Sequence, residues 1–149
     1  MPALDPATVA VGQELPPLVK GPITKDDLKA YATASGDPNP IHVDEEFARN
    51  AGYPGVFAHG MLSMGYLGQF LVQAAGLAGV RRFKTRFAKL TWPGDVITCR
   101  GRVTRVTDEG STRLVECDIW TENQDGEKKL TGSAVLALPR ERHPALSRS

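Results

Sequence analysis

Near residue 82 the chain changes its hydrophobic period, and this limits its fold more than any other feature. From Gly60 to about Ala75 the residues are mostly apolar and carry no charge, which predicts a long helix with little polar surface. From Arg82 onward the sequence alternates, is rich in β-branched residues and is punctuated by turn signals, the pattern of half-buried strands. Phe83 to Leu90 is a candidate strand. Val96 to Thr107 is the next, with Ile97, Cys99 and Val103 on one side and Arg100, Arg102 and Thr104 on the other. Ser111 to Glu122 follows, with Val115, Cys117 and Ile119 facing the core, and Lys128 to Leu138 is the last. Turns are expected at Thr91–Asp95, Asp108–Gly110 and Asn123–Gly126. An antiparallel meander with one apolar face must cover that face, and the helix from Gly60 is the available cover. The expected class is therefore α+β, one sheet wrapped on one central helix. Upstream, residues 9–20 read as a short edge strand or extended arm. Thr24 opens a helix over Lys25 to about Ala34, and residues 44–49 form a short helix that Gly52 ends.

A chain of 149 residues suits one domain, expected over residues 1–139, with a frayed polar tail at 140–149. Eighteen basic and 17 acidic residues leave a net charge of +1, which excludes a general nucleic-acid binder. Two cysteines make neither a disulfide scaffold nor a thiolate zinc site. Cys99 and Cys117 fall on apolar strand faces and read as buried packing thiols. The N-terminal residues have no basic region followed by an apolar run. Glycine and glutamine interrupt the apolar stretch from Met61 to Val80, which suits a buried helix better than a membrane span. The expected location is the cytoplasm, with no membrane partner.

Glycine (15) and proline (11) make up about 17% of the chain, against a usual ~12%, and their placement matters more than their number. Pro38 and Pro40 lie in Ser35-Gly36-Asp37-Pro38-Asn39-Pro40-Ile41-His42. Each proline fixes its own φ and biases the residue before it toward extended dihedrals. An Asp and a His five residues apart on such a stiff loop can be held together at little further entropic cost. A carboxylate beside an imidazole is an acid/base pair. The spacing alone also fits a turn aspartate and a hydrogen-bonded core histidine. A second feature is Ala58-His59-Gly60-Met61 at the start of the apolar helix. Backbone N–H groups and the positive dipole end gather there, and Gly60 lets a ligand approach the main chain closely. Such a site suits a carbonyl oxygen that gains negative charge during reaction, although a plain glycine near a helix start fits equally well.

Tyr31-x-x-x-Ser35-Gly36-Asp37-x-Asn39-Pro40-Ile41-His42-x-Asp44, followed by Ala58-His59-Gly60-Met61-Leu62, resembles the MaoC-like or R-specific enoyl-CoA hydratase (hydratase 2) family. Within it the chain looks like the small single-hot-dog dehydratase subunits of actinobacterial fatty-acid elongation. The resemblance implies a hot-dog fold, an antiparallel sheet around one long central helix. It implies reversible hydration of trans-2-enoyl thioesters to (3R)-3-hydroxyacyl thioesters, with an acyl-CoA or acyl-carrier-protein substrate and no cofactor or metal. Asp37 and His42 match the pair that acts on water, and the Gly60 amide matches the oxyanion donor. Asn39, Ser35 and Ser63 are candidate supporting residues, and Tyr31, Met61, Met64 and Arg86 candidate substrate contacts. Some members carry a serine deeper in the helix, where this chain has Gly68. With Gly65, that substitution could open room for a bulky acyl chain. The same fold also hosts thioesterases and acyl-binding subunits that depend on a partner, and both remain alternatives.

His42, Asp44 and His59 imitate a two-His-one-carboxylate iron site, but Asp44 is better placed to cap the following helix. His59 is expected to be structural, bonded to backbone. Arg81, Arg82, Lys84, Arg86 and Lys89 form a basic cluster that reads as a solvated edge or as a contact for the phosphates of coenzyme A or an acidic carrier protein. A single sheet around one helix leaves an open edge. The expected unit is thus a homodimer, a dimer of dimers, or a hetero-oligomer with a second hot-dog subunit.

Overall fold

The structure, a computed structural model, describes residues 3–140. Strand β1 (Leu18–Lys20) precedes α1 (Lys25–Ser35), α2 (Glu45–Asn50) and α3 (Gly60–Ala75). Strands β2 (Val80–Phe87), β3 (Ile97–Glu109), β4 (Thr112–Glu122) and β5 (Lys128–Pro139) follow. They form one five-stranded antiparallel sheet in the order β1-β3-β4-β5-β2. The α+β class holds, but only β3, β4 and β5 form a meander. β2 crosses to the far edge, where Val80 to Phe87 pairs with Leu136 to Leu130 of β5. Alternation reveals which residues share a strand face; it carries no information about which strand sits next to which.

Local sequence explains most element boundaries. Thr24 and Asp27 form a reciprocal capping box at the start of α1. Asp44 caps α2 by accepting from the Phe47 N–H at 3.1 Å. Three boundaries differ from expectation. Of residues 9–20 only Leu18–Lys20 pairs as a strand, with one isolated bridge from Glu14 to Arg102. β2 starts earlier and ends at Phe87, so Ala88, Lys89 and Leu90 leave the ladder. The β3–β4 hairpin closes over Gly110 and Ser111 alone, so Asp108 and Glu109 stay in the strand. The polar tail lies outside the described residues beyond Arg140, whose own N–H still donates to the Ser111 carbonyl. Among the described residues no helix is long and apolar enough to cross a membrane.

The core lies between α3 and the sheet. Ser63, Leu67, Phe70, Leu71, Ala74 and Ala75 form the buried stripe of α3, recurring at three- and four-residue spacing. Leu67, Phe70, Leu71, Ala74 and Ala75 cluster with Cys99 and Val103 of β3, Val115, Cys117 and Ile119 of β4, and Leu130, Ala134, Leu136 and Leu138 of β5. Both cysteines are free and buried, and burial pushes each thiol up to about 12. The Phe70 ring sits where a side chain on Gly101 of β3 would project, 3.3 Å from that position, so the missing side chain lets α3 approach the sheet. The main-chain N–H groups of Ala3 and Leu4 donate to the Gln73 and Ala74 carbonyls, two of the last-turn acceptors that a helix leaves unpaired. A smaller cluster of Ile23, Leu28, Ala48, Val56, Ala58 and Ile97 seats α1 and α2 beside the start of α3.

Phe70 is 1% exposed, so Phe70→Ala leaves a cavity at the helix–sheet contact and is expected to cost about 3–5 kcal/mol. Urea denaturation reads this directly. A loss below about 1 kcal/mol would place the centre of the core elsewhere.

Candidate active site

The stiff loop between α1 and α2 is built by short-range hydrogen bonds. Gly36 ends α1 in the left-handed region, at φ +71°, a conformation glycine adopts without a side-chain penalty. The Asp37 N–H donates back to the Ala32 carbonyl. Asp37 Oδ1 accepts from the Asn39 N–H at 3.3 Å, and Asn39 Oδ1 accepts from the Ile41 N–H at 3.2 Å. Pro40–His42 then make one turn of 3₁₀ helix. Asp37 and His42 therefore stand at the two ends of a braced turn.

Each of two imidazoles spends one nitrogen on a main-chain carbonyl. His42 Nδ1 lies 2.6 Å from the Phe57 carbonyl oxygen. A carbonyl only accepts, so Nδ1 carries the hydrogen, and a neutral His42 presents a bare Nε2. His59 does the converse: its Nε2 donates to the Asp37 carbonyl at 3.1 Å and lies 3.6 Å from Asp37 Oδ2. Its Nδ1 is buried with no hydrogen-bond partner. The two rings stack with centroids 3.8 Å apart and planes 29° from parallel. Phe57 meets the edge of His42 and Tyr31 the edge of His59. Burial lowers the His42 pKa from its ordinary 6.5; the Phe57 carbonyl opposes this, the His59 ring adds to it, and Asp37 opposes it.

The pair opens onto a cleft of about 600 Å³. Its floor is the start of α3, where His59 is the N-cap and makes no side-chain cap bond. Gly60 lines the cleft, and a Cβ there would lie 2.8 Å from the Phe87 ring, so only glycine leaves both that ring and the first amides in place. The residues that depart from the expected strand, Ala88, Lys89 and Leu90, form the opposite wall with Thr91. The N–H groups of Ala88 and Lys89 both donate to the Lys129 carbonyl, and the Thr91 carbonyl accepts from the Ala58 N–H. A buried charge knot sits behind this wall. Lys129, 1% exposed, lies 3.7 Å from Asp95 and is bonded to Glu127. Asp95 in turn accepts from the Trp92 N–H and the Gln124 side chain.

Among the residues singled out by sequence, Tyr31, Ser35, Asp37, His42, His59, Gly60, Met61 and Lys89 line this cleft. The remaining site candidates do not. Asn39 braces the loop through Ile41. Ser63 is buried one turn into α3, and Met64 packs on the sheet-side core. Arg86 is exposed and absent from the cleft lining, because it alternates with Phe87, which faces the cleft. Gly65 and Gly68 stay outside the cleft lining too, and the position beside Gly68 meets the Phe83 ring at 3.7 Å. His59 joins the site through contacts the sequence did not reveal. Its backbone bond was expected; its stacking on His42 depends on two segments meeting in space. Phe57, Phe87 and Leu130 also line the cleft without a sequence signal beyond their apolar character, and Thr91 joins them from the expected turn.

Asp37, His42 and His59 offer ligand-type atoms within 4.8 Å of one another; Asp44, the carboxylate of the expected iron-site mimic, caps α2 instead. The two imidazoles already use one nitrogen each on a main-chain carbonyl, which leaves one ring nitrogen per histidine.

Comparison with known proteins agrees with this architecture. The family model of the MaoC like domain matches residues 7–124. The (R)-specific enoyl-CoA hydratase of Aeromonas caviae is 31% identical over 118 residues, covering 76% of this chain and 84% of that protein. The chain spans only 13% of the mouse peroxisomal multifunctional enzyme type 2, at 35% identity over 94 residues, and 6% of the yeast fatty acid synthase subunit beta. Among solved structures, the unliganded R-hydratase PhaJ1 of Pseudomonas aeruginosa superposes with a TM-score of 0.77 at 26% identity, covering 91% of this chain and 86% of that one. The (R)-hydratase of A. caviae superposes with a TM-score of 0.76 at 26% identity, over 89% and 98% of the two chains. By sequence and by its helix-on-sheet architecture, the chain belongs to the MaoC-like domain family and has its hot-dog fold.

Proposed function

We propose that the chain catalyses the reversible addition of water to a trans-2-enoyl thioester, giving the (3R)-3-hydroxyacyl thioester. The observation that carries this reading is the convergence of Asp37, the bare Nε2 of His42 and the start of α3 on one cleft. The likeness to an (R)-specific enoyl-CoA hydratase over most of both chains supports the same chemistry.

In this mechanism the thioester carbonyl points at the Gly60 N–H. Water attacks C3 while the Asp37–His42 pair removes one of its protons. The C2=C3 electron pair shifts toward the carbonyl oxygen, where the amide and helix dipole stabilise the charge. One such donor is worth about 3 kcal/mol of barrier. The enolate then collapses as C2 takes a proton, so the C3–O and C2–H bonds form at the expense of one O–H bond and the π bond. The two side chains act as a coupled unit that shares its protons. Dehydration is the reverse.

Charge bears on the carrier of the acyl group. Arg81, Arg82, Lys84 and Arg86 are exposed and have no ion-pair partner among the described residues, while Lys89 pairs with Glu127 at the cleft. This row favours the phosphates of coenzyme A or an acidic carrier protein. β2 pairs only with β5, which leaves its other edge open for a second hot-dog chain, identical or not.

Asp37→Asn and His42→Ala are each expected to lower kcat/KM by about 10²–10⁴ without unfolding the protein. Loss of crotonyl-CoA absorbance reads the rate. Near wild-type rates in both variants would sink the assignment, and release of free thiol in place of hydration would identify a thioesterase.

The pH profile gives a second test. Water activation needs neutral His42, and burial favours that form by lowering its pKa from 6.5. The acid limb of kcat/KM is therefore expected to have its midpoint below 6.5, and a midpoint above that value would contradict the burial of the base. Stability follows the same sign. As pH falls past 6.5 the unfolded imidazole binds its proton first, so stability declines until the folded group also titrates.

A further inference from the structure

His59 is more deeply buried than either member of the acid/base pair, yet the mechanism above gives it no proton to move. It is 3% exposed, against 8% for His42 and 55% for the Asp37 side chain. Its ring nevertheless touches both. The Nε2–H donates to the Asp37 main-chain carbonyl at 3.1 Å and lies 3.6 Å from Oδ2 of the same residue. One donor therefore faces the backbone and the carboxylate of Asp37 together. The ring face covers the His42 ring at 3.8 Å, and the Tyr31 ring edge closes the other side at 5.0 Å.

The unpartnered Nδ1 gives this arrangement its direction. A buried polar atom without a partner calls for a reason. A proton placed on Nδ1 would find no acceptor in the protein, and burying an unpaired N–H of a charged ring is costly. The carbonyl can only accept, so Nε2 carries a hydrogen, which makes His59 a donor toward Asp37. His42 is held in the opposite tautomer by Phe57, so its Nε2, when the ring is neutral, is an acceptor toward the cleft. Among the described residues, the titratable groups that face the two rings are Asp37 from the loop and Tyr31 from α1.

We propose that His59 is a positioning residue. Its Nε2–H, set between the carbonyl and carboxylate of Asp37, and its ring, stacked on His42, together fix the distance and orientation of the two groups that act on water. The role rests on the hydratase reading above. It explains why the residue before Gly60 is an imidazole rather than a conventional Ser, Thr or Asp cap, since it makes no cap bond at all. It also links the two halves of the site, because the segment that supplies the oxyanion amide is the one that orients the pair.

The test separates donor from ring. His59→Phe keeps an aromatic face and removes the donor. His59→Gln removes the ring but carries an amide N–H that can reach the Asp37 carbonyl. With crotonyl-CoA, His59→Phe is expected to lose about 10–10² in kcat with KM within roughly threefold of wild type, the effect of a misplaced rather than a missing catalytic group. His59→Gln is expected to recover at least tenfold of that loss, because the donor is restored. Should His59→Phe fail to fold, His59→Met supplies the donor-free comparison. A His59→Phe enzyme with wild-type kcat, or equal losses in the donor-bearing and donor-free variants, would overturn the role and leave the hydratase reading intact. Nitrogen-detected NMR of the wild-type histidines provides an arm that needs no turnover. His59 is expected to carry a hydrogen on Nε2. A bare Nε2 would overturn the proposal even if the wild-type chain shows no hydration, the result that would instead defeat the hydratase reading.

Discussion

The site depends on the hydrogen bond from His42 Nδ1 to the Phe57 carbonyl, 2.6 Å long and buried. It ties the braced loop after α1 to the segment that leads into α3, across 15 residues of chain. Without it the two motifs would be separate surface features. With it, the imidazole has one tautomer, its free nitrogen is fixed, and the Asp37 end of the loop is brought within reach of His59. A short bond in a dry setting is stronger than the same bond in water, and burial of the ring also lowers its basicity. One contact therefore sets geometry and protonation together.

The rest of the fold holds the helix start still. α3 packs one apolar stripe on the sheet, and Gly101 lets Phe70 settle against β3. At the other end of the helix Gly60 leaves room for the Phe87 ring, so the last residue of β2 lies against the first turn of α3. The facing wall is secured from behind. The Lys129 carbonyl receives two N–H groups from residues 88 and 89, while its ammonium is neutralised by Asp95 and Glu127. Removing either carboxylate from such a pair would leave a buried charge poorly compensated. The tethered wall, the braced loop and a helix end meet at one place. That is the preorganisation that charge stabilisation requires.

Much of this is legible in the sequence. The alternation after residue 82 specified the strand faces, because a two-residue period has only one reading when one face must be buried. Thr24, Asp44 and Gly36 marked helix ends through caps whose chemistry is local. The paired prolines showed that the loop from Ser35 to His42 is stiff, and the resemblance carried by that loop pointed to the family. Less was legible where partners are distant. The edge position of β2 comes from its pairing with β5, some 50 residues later. The cleft wall at residues 88–90 exists because β2 stops where the Lys129 carbonyl captures the chain. Arg86 and Met64 were named by type and proximity, and their strand and helix faces turn them away from the cleft.

By itself the sequence determined the α+β class, the apolar faces, the stiffness of the Asp37–His42 loop and the glycine at the start of α3. Each follows from φ restrictions, side-chain period or capping, which act over a few residues. Only the tertiary structure decided which strands are neighbours, that His59 stacks on His42 and reaches Asp37, and which nitrogen of each ring is free. Those outcomes depend on carbonyls and rings supplied by segments far apart in the chain. A hydrogen bond such as that from His42 to Phe57 can choose a tautomer only after the core has brought its two ends together.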